Sequence, residues 1–136
     1  MSRAQDWAEV MEPFIEHLGV QLPEFAEGSG KAELRLDIQH TNRFSTAHGG
    51  VIVTLLDFVM AQACRSADAD LRPAITIEIK STFVQPGRGT LRCTGHCVHR
   101  ARSLAFGEAR VVDAQGNLVA FGSGTFKYAR SQSGNP

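Results

Sequence analysis

The feature that most constrains this chain is an apolar run from Gly50 to about Ser66, inside the stretch HGGVIVTLLDFVMAQAC. Its length favours a helix over a strand. A helix that is apolar nearly all round must be enclosed by other elements rather than lie on a surface. One residue breaks the run. Asp57 carries a carboxylate, which is costly to take out of water without partners. Its neighbours within one helical turn include Val53, Thr54, Met60 and Ala61, none of them a cation. Asp57 is therefore either a structural residue held by Thr54 or a backbone group, or a residue placed for chemistry.

The rest of the chain supplies candidates for the enclosing layer. Near the start, Trp7, Val10, Met11, Phe14, Ile15 and Leu18 fall at helical spacing, with Pro13 opening a short helix and Gly19 stopping it. KAELRLDI alternates Leu34, Leu36 and Ile38 against Glu33, Arg35 and Asp37, the pattern of a half-buried strand. After the long helix come four strand-like runs: PAITIEIKSTFV, GTLRCTGHCVHRA, SLAFGEARVVD and NLVAFGSGTFKYA. Turn signals separate them, QPGRG after Val84 and DAQGN from Asp113 to Asn117, and the last two runs form a hairpin. One long helix with a series of antiparallel strands argues an α+β fold. A sheet curling round the helix would account for a helix greasy on every side.

At 136 residues the chain reads as a single domain over 1–130, followed by a polar tail over 131–136 that frays. Fourteen basic and fourteen acidic residues balance to a net charge of zero, which gives no support for a nucleic-acid partner or a charged membrane-binding surface. MSRAQDWAEVMEPF has acidic residues where a signal peptide needs an apolar stretch, and no run has the continuous apolar length of a membrane span. Three cysteines do not suggest a disulfide framework. The expectation is a soluble cytoplasmic protein. On a strand, Cys93 and Cys97 of CTGHC would stand ~13 Å apart, too far to chelate one ion with His96 between them, so no metal is expected.

NRFSTAHGGVIVTLLD resembles the signature of the PaaI-like branch of the hotdog-fold acyl-CoA thioesterases: an Asn, HGG six residues later, and an acid in the following helix. The resemblance continues through PAITIEIKSTFVQPGRG and RARSLAFGEARVVDAQGNLVAFGSGTF. It implies a helix wrapped by an antiparallel sheet, homodimers with a continuous sheet, and dimers of dimers. The implied activity is hydrolysis of a coenzyme A thioester of an acyl or aryl-acyl group, without a metal or other cofactor.

Each candidate has a physical rationale. Gly49 and Gly50 would open the helix, where unpaired N–H groups and a partial positive charge can polarise a thioester carbonyl, Gly49 being the expected donor. Asp57 in a partly desolvated pocket would have its pKa raised and act as a general base on water, or attack the thioester carbon itself. His48 would hold the turn for Gly49, with proton transfer as the alternative. Asn42 matches the family Asn and would orient the water or the Asp57 carboxylate, or simply cap a turn. Thr76 matches a family Ser/Thr position, but strict alternation sets it opposite Ile75 and Ile77, so it reaches a site only if its face is covered. Phe83 matches an aromatic beside the pantetheine arm. Arg102 matches a basic residue for a phosphate and Ser103 a hydroxyl for the pantetheine amides. Arg88 and Arg100 are further phosphate candidates or solvated surface residues.

Spacing adds one inference. Gly49 and Asp57 of one straight helix lie ~12 Å apart along its axis, too far to serve one carbonyl. Two helices antiparallel across a two-fold would bring each Asp57 towards the other's Gly49, giving a site shared between subunits. Two other readings exist: a hotdog hydratase or dehydratase, which would need a His–carboxylate pattern not found here, and a non-catalytic acyl-CoA binding or sensing domain.

Overall fold

The computed structural model describes residues 10–130. Trp7, part of the expected N-terminal pattern, and the tail over 131–136 lie outside them. Helix α1 (Pro13–Leu18) opens on its proline and closes on Gly19 at φ 86°, a left-handed cap that costs glycine no side-chain clash. Strands β1 (Gln21–Ala26) and β2 (Ser29–Arg35) follow as a hairpin. Helix α2 (Gly49–Ala67) comes next, then β3 (Ala74–Phe83), β4 (Thr90–Arg100), β5 (Leu104–Val112) and β6 (Leu118–Tyr128).

The six strands form one antiparallel sheet in the order β1-β2-β4-β5-β6-β3, wrapped round α2 in the hotdog arrangement. The chain leaves β2, runs through α2 to β3 at the far edge, and returns to place β4 beside β2. The expected β5–β6 hairpin is present. Its turn is tied by Asp113, whose Oδ1 accepts from the N–H groups of Gln115 and Asn117 at 3.0 and 2.9 Å. The core is the layer between sheet and helix: Leu55, Leu56, Val59 and Met60 from α2 against Phe25, Leu34, Leu91, Val111 and Phe126 from the strands.

By length and composition α2 would suffice to cross a bilayer, but half of it is buried inside the fold. Enclosure is incomplete within one chain. Gly50, Val53, Thr54, Asp57 and Ala61 make a stripe along α2 that is only partly buried or exposed. This corrects the expectation of a helix covered on every side. The sheet ends at β3, and no described strand pairs with its outer edge. Ile38 also departs from expectation. The strand stops at Arg35, Asp37 caps a short 3-10 turn over Ile38–His40, and the Ile38 side chain is 83 % exposed. The side-chain oxygen of Asp37 accepts from the Ile38 N–H, a local bond that competes with strand pairing.

Candidate active site

The loop before α2 is built to aim its first turn. His40 is buried with both ring nitrogens engaged: Nδ1 accepts from the Asp37 N–H at 2.8 Å, and Nε2 donates to the Leu18 carbonyl at 2.6 Å. The carbonyl of His40 in turn accepts from the His48 N–H at 2.8 Å. Asn42 Oδ1 gathers the N–H of Phe44 at 2.9 Å, the N–H of Thr46 at 3.3 Å and the Thr46 hydroxyl at 3.2 Å. Asn42 is thus a loop tie, and it makes no bond to the Asp57 of its own chain.

His48 is the N-cap of α2, and its Nδ1 accepts from the Gly50 N–H at 2.9 Å. The neutral ring therefore carries its proton on Nε2. This bond takes the Gly50 donor out of play. The Gly49 N–H, which has no partner within the helix, makes no hydrogen bond among the described residues. The ring of Phe83 lies over Gly49, with Cζ 3.5 Å from where a Cβ would stand. Gly49, Phe83, Asn42, Ile52, Val84 and Arg88 belong to the wall of an open cavity of about 490 Å³ at this helix end.

Asp57 sits two turns further along, on the partly open stripe. The Thr76 hydroxyl donates to its Oδ1 at 2.6 Å, reaching across from β3. Thr54, the alternative holder, donates instead to the Gly50 carbonyl at 2.8 Å. No ion pair reaches Asp57 among the described residues. Strict alternation in β3, as expected from the sequence, fails at Ile77. Thr76 pairs with Phe126 and Glu78 with Thr125, leaving Ile77 as an extra residue in a bulge. The bulge decides the site. Thr76 and Phe83 are an odd number of residues apart and would face opposite sides of a regular strand; with one extra residue between them, both face α2.

The sequence-derived candidates thus fall into separate groups within one chain: Asp57 with Thr76, and Gly49 with His48, Asn42 and Phe83. Arg102 and Ser103 are exposed in the β4–β5 turn, at the C-terminal end of α2. The Arg102 carbonyl accepts from Arg72 at 3.2 Å and the Ser103 carbonyl from the Tyr128 N–H at 2.9 Å. Arg100 is neither a free phosphate ligand nor a solvated arginine. Its Nη1 donates to Asp68 Oδ1 at 2.9 Å, and its guanidinium lies 5.9 Å from the Tyr128 ring centroid. Arg72 grips both oxygens of Asp68, at 3.0 and 2.9 Å. These bonds, Arg72's foremost, hold the Asp68 carboxyl far below the usual carboxylate range.

Two features escaped sequence reasoning. The Asp68–Arg72–Arg100 network joins residues from two segments, and only the four-residue spacing of Asp68 and Arg72 hinted at it. Glu12, just before α1, has its carboxyl pushed up by partial burial and then by the charge of Asp57. Nothing local in the sequence ties Glu12 to Asp57. Among the described residues no cluster of three His, Cys, Asp or Glu side chains converges as metal ligands would. The arrangement offers a donor for a developing oxyanion at Gly49 and a carboxylate at Asp57 with lone pairs to spare.

The family model described as Thioesterase superfamily matches residues 44–120. Acyl-coenzyme A thioesterase 13 of Mus musculus is 30 % identical over 98 residues, 68 % of each chain. Acyl-coenzyme A thioesterase PaaI of Escherichia coli is 28 % identical over 106 residues, 76 % of this chain and 73 % of that one. The solved structure of the E. coli PaaI protein superposes with a TM-score of 0.79 at 23 % identity, covering 87 % of this chain and 85 % of that one. A Bacillus halodurans protein solved with CoA has a TM-score of 0.70 at 31 % identity, over 73 % of this chain and 66 % of that one.

Proposed function

This chain belongs to the thioesterase superfamily, in its PaaI-like hotdog branch, and we propose that it hydrolyses the coenzyme A thioester of an acyl or aryl-acyl group. The observation that carries the reading is the presence, among the described residues, of a Gly49 N–H without a hydrogen-bond partner and an Asp57 carboxylate held by one neutral hydroxyl and by no cation. The acyl-CoA thioesterase relatives and the CoA-bound neighbour favour coenzyme A as the thiol.

The reaction takes place in a homodimer. β3 borders β6 on one side only, and its open edge carries Ile75 and Ile77, each more than half exposed. A long, apolar, unpaired edge is a template for strand pairing unless it is covered. Two β3 edges running antiparallel about a two-fold bring Asp57 and Thr76 of one protomer towards the partner's Gly49 and Phe83. The partner's Gly49 N–H polarises the thioester carbonyl. Asp57, oriented by Thr76, takes a proton from a water that attacks the carbonyl carbon. Collapse of the tetrahedral intermediate breaks the C–S bond, and the proton held by Asp57 goes to the departing thiolate. Arg102 and Ser103, at the C-terminal end of α2, meet the phosphates and amides of the coenzyme, and the cavity beside Gly49 receives an apolar acyl group. The dimers pair further through the outer sheet face, where Phe106 and Phe121 are exposed.

The test is thiol release from a panel of acyl-CoAs by the wild type and Asp57→Asn, with sedimentation of both. Release from aryl or medium-chain substrates by a dimer or tetramer, lost in a folded Asp57→Asn protein, supports the reading. Binding of acyl-CoA without release would make the chain a binding or sensing domain. A single turnover in ¹⁸O-water tests the nucleophile: an unlabelled acid with the label left in the Asp57 carboxylate requires an acyl-aspartyl intermediate opened at the aspartyl carbon, which direct attack by water on the thioester cannot give.

A further inference from the structure

Two thiols outside the site face each other across the core. The sheet approaches α2 closely where it carries glycine. A Cβ at Gly107 would stand 3.2 Å from Met60 Cβ, and one at Gly95 would stand 3.1 Å from Val59 Cγ1. Cys64 lies one turn after Met60, and its Sγ is 3.5 Å from the same Gly107 Cβ position. Gly107 is the direct cross-strand partner of Cys97. Directly opposed residues of an antiparallel pair put their side chains on one face, about 4.5–5.5 Å apart. The Cys64 sulfur therefore occupies the space beside Cys97 that a Gly107 side chain would fill. From the other flank, a Cβ at Gly28 would touch Cys97 Cβ at 3.7 Å and Ala67 Cβ at 3.4 Å, and Ala67 is three residues on from Cys64. Cys97 is thus bracketed by the last turn of α2. Burial, and after it the neighbouring Cys97 thiol, push the Cys64 thiol above its usual range.

The geometry points to Cys64 and Cys97 as a peroxide-oxidisable dithiol that closes to a disulfide between α2 and β4. Cys64 is buried and Cys97 partly exposed, so Cys97 meets the oxidant first. Its sulfur attacks one peroxide oxygen, breaking the O–O bond, releasing water and leaving a sulfenic acid. The Cys64 sulfur then attacks that sulfur and displaces hydroxide, which takes the Cys64 proton and departs as a second water. Two thiols and one peroxide give one disulfide and two waters. Strand β4 is bulged between Cys97 and His99, so its backbone can shift to the short Cβ–Cβ separation a disulfide needs. Cys93 takes no part. It is fully buried, four residues along the strand from Cys97, and its thiol donates to the Leu55 carbonyl at 3.7 Å.

The experiment treats the whole folded protein with hydrogen peroxide, alkylates it after denaturation and maps the peptides. Two of the three thiols should be lost to alkylation, with Cys93 still reactive, a linked peptide pair containing Cys64 and Cys97, and recovery of both thiols in dithiothreitol. Cys93→Ala should form the same link, and Cys97→Ser should leave Cys64 alkylatable after the same treatment. Three thiols surviving peroxide would overturn the proposal. So would Cys97 ending as a sulfinic or sulfonic acid with Cys64 untouched, or a Cys97 bridge between two chains. The readout does not use thioester cleavage, so it stands or falls separately from the catalytic reading.

Discussion

Helix α2 carries one carboxylate in its middle and another at its C-cap, and their surroundings are opposite. Asp68 has a side chain only 6 % exposed, and its oxygens accept from the side chains of Arg72 and Arg100 and from the Arg72 N–H. Asp57 is less buried and accepts one bond, from a neutral hydroxyl. The contrast teaches that depth does not mark the acid proposed to react. A carboxylate whose lone pairs are spoken for by two guanidinium groups and a backbone N–H holds structure together and has nothing to offer a water. The less buried acid, uncompensated by charge among the described residues and beside an open edge, keeps lone pairs free.

Removing each acid in turn gives the sharpest break between them. Asp57→Asn should lose about 10²–10⁴-fold in kcat, the range for a general base, with its thermal midpoint nearly unchanged, as read by thiol release and circular dichroism. Similar turnover in mutant and wild type would return Asp57 to the structural class. The next largest effect tests the other half of the site. Gly49→Pro removes the one N–H assigned to the oxyanion yet suits the first position of a helix, where proline is favoured. The preceding His48, at φ −62° and ψ 138°, already has the extended backbone that proline requires before it. The expected loss is about 10²–10³-fold in kcat with helix content retained. An active, folded Gly49→Pro protein would move the oxyanion site elsewhere.

Asp68→Asn should do the reverse: near-normal turnover per folded molecule and a large loss of stability. Removing one partner of a buried ion pair costs about 3–5 kcal/mol, and here the figure falls towards about 2 because water can reach the abandoned Arg72 and Arg100, 23 % and 38 % exposed. The pH dependence has a definite sign. The folded state depresses the Asp68 pKa, so its contribution is complete above the ordinary value of 3.8 and drains away as pH falls below it. Urea melts at neutral pH and at successively lower pH should therefore converge for wild type and mutant. A gap that stayed constant into strong acid would contradict the network.

Much of this contrast could be read in the chain, because it rests on local pattern. The long helix, its HGG opening, the Pro13 and Gly19 boundaries of α1 and the four later strands follow from periodicity and turn residues over a few positions. What escaped depends on residues distant in sequence. The bulge at Ile77 is invisible in AITIEI, which reads as a regular strand; only pairing with β6 reveals it, and only the bulge lets Thr76 and Phe83 face α2 together. Arg100 reads as a solvated cation until the fold brings it to Asp68, 32 residues away. His40 falls in no pattern read from the sequence, yet it is the buried peg that fixes the turn before Gly49.

Thr76 and Glu12 refine the picture of Asp57 with smaller effects. Thr76→Ala removes the bond that orients the carboxylate. A hydrogen bond to a charged group is worth about 1.5–3 kcal/mol, part of it regained from water, so about a tenfold fall in kcat is expected. Thr76→Ser should restore most of it, since the hydroxyl and not the methyl makes the contact. Equal losses in both variants would point to packing instead.

Glu12 gives the smallest and most selective signal. Its carboxyl is raised from an ordinary 4.5 by two causes that can be separated, burial first and the negative charge of Asp57 second. Asp57→Asn removes only the second. The Glu12 titration, followed by carboxyl-resolved NMR, should therefore move to lower pH in Asp57→Asn but stay above 4.5, because the burial remains. Asp68→Asn, which removes a carboxylate that contributes nothing to Glu12's shift, should leave that midpoint where it was. A Glu12 midpoint that followed Asp68, or ignored Asp57, would mean that the two acids of α2 do not present their charge as their contacts indicate. The expected result would instead make Glu12 a reporter of the charge on Asp57 in the protein at work.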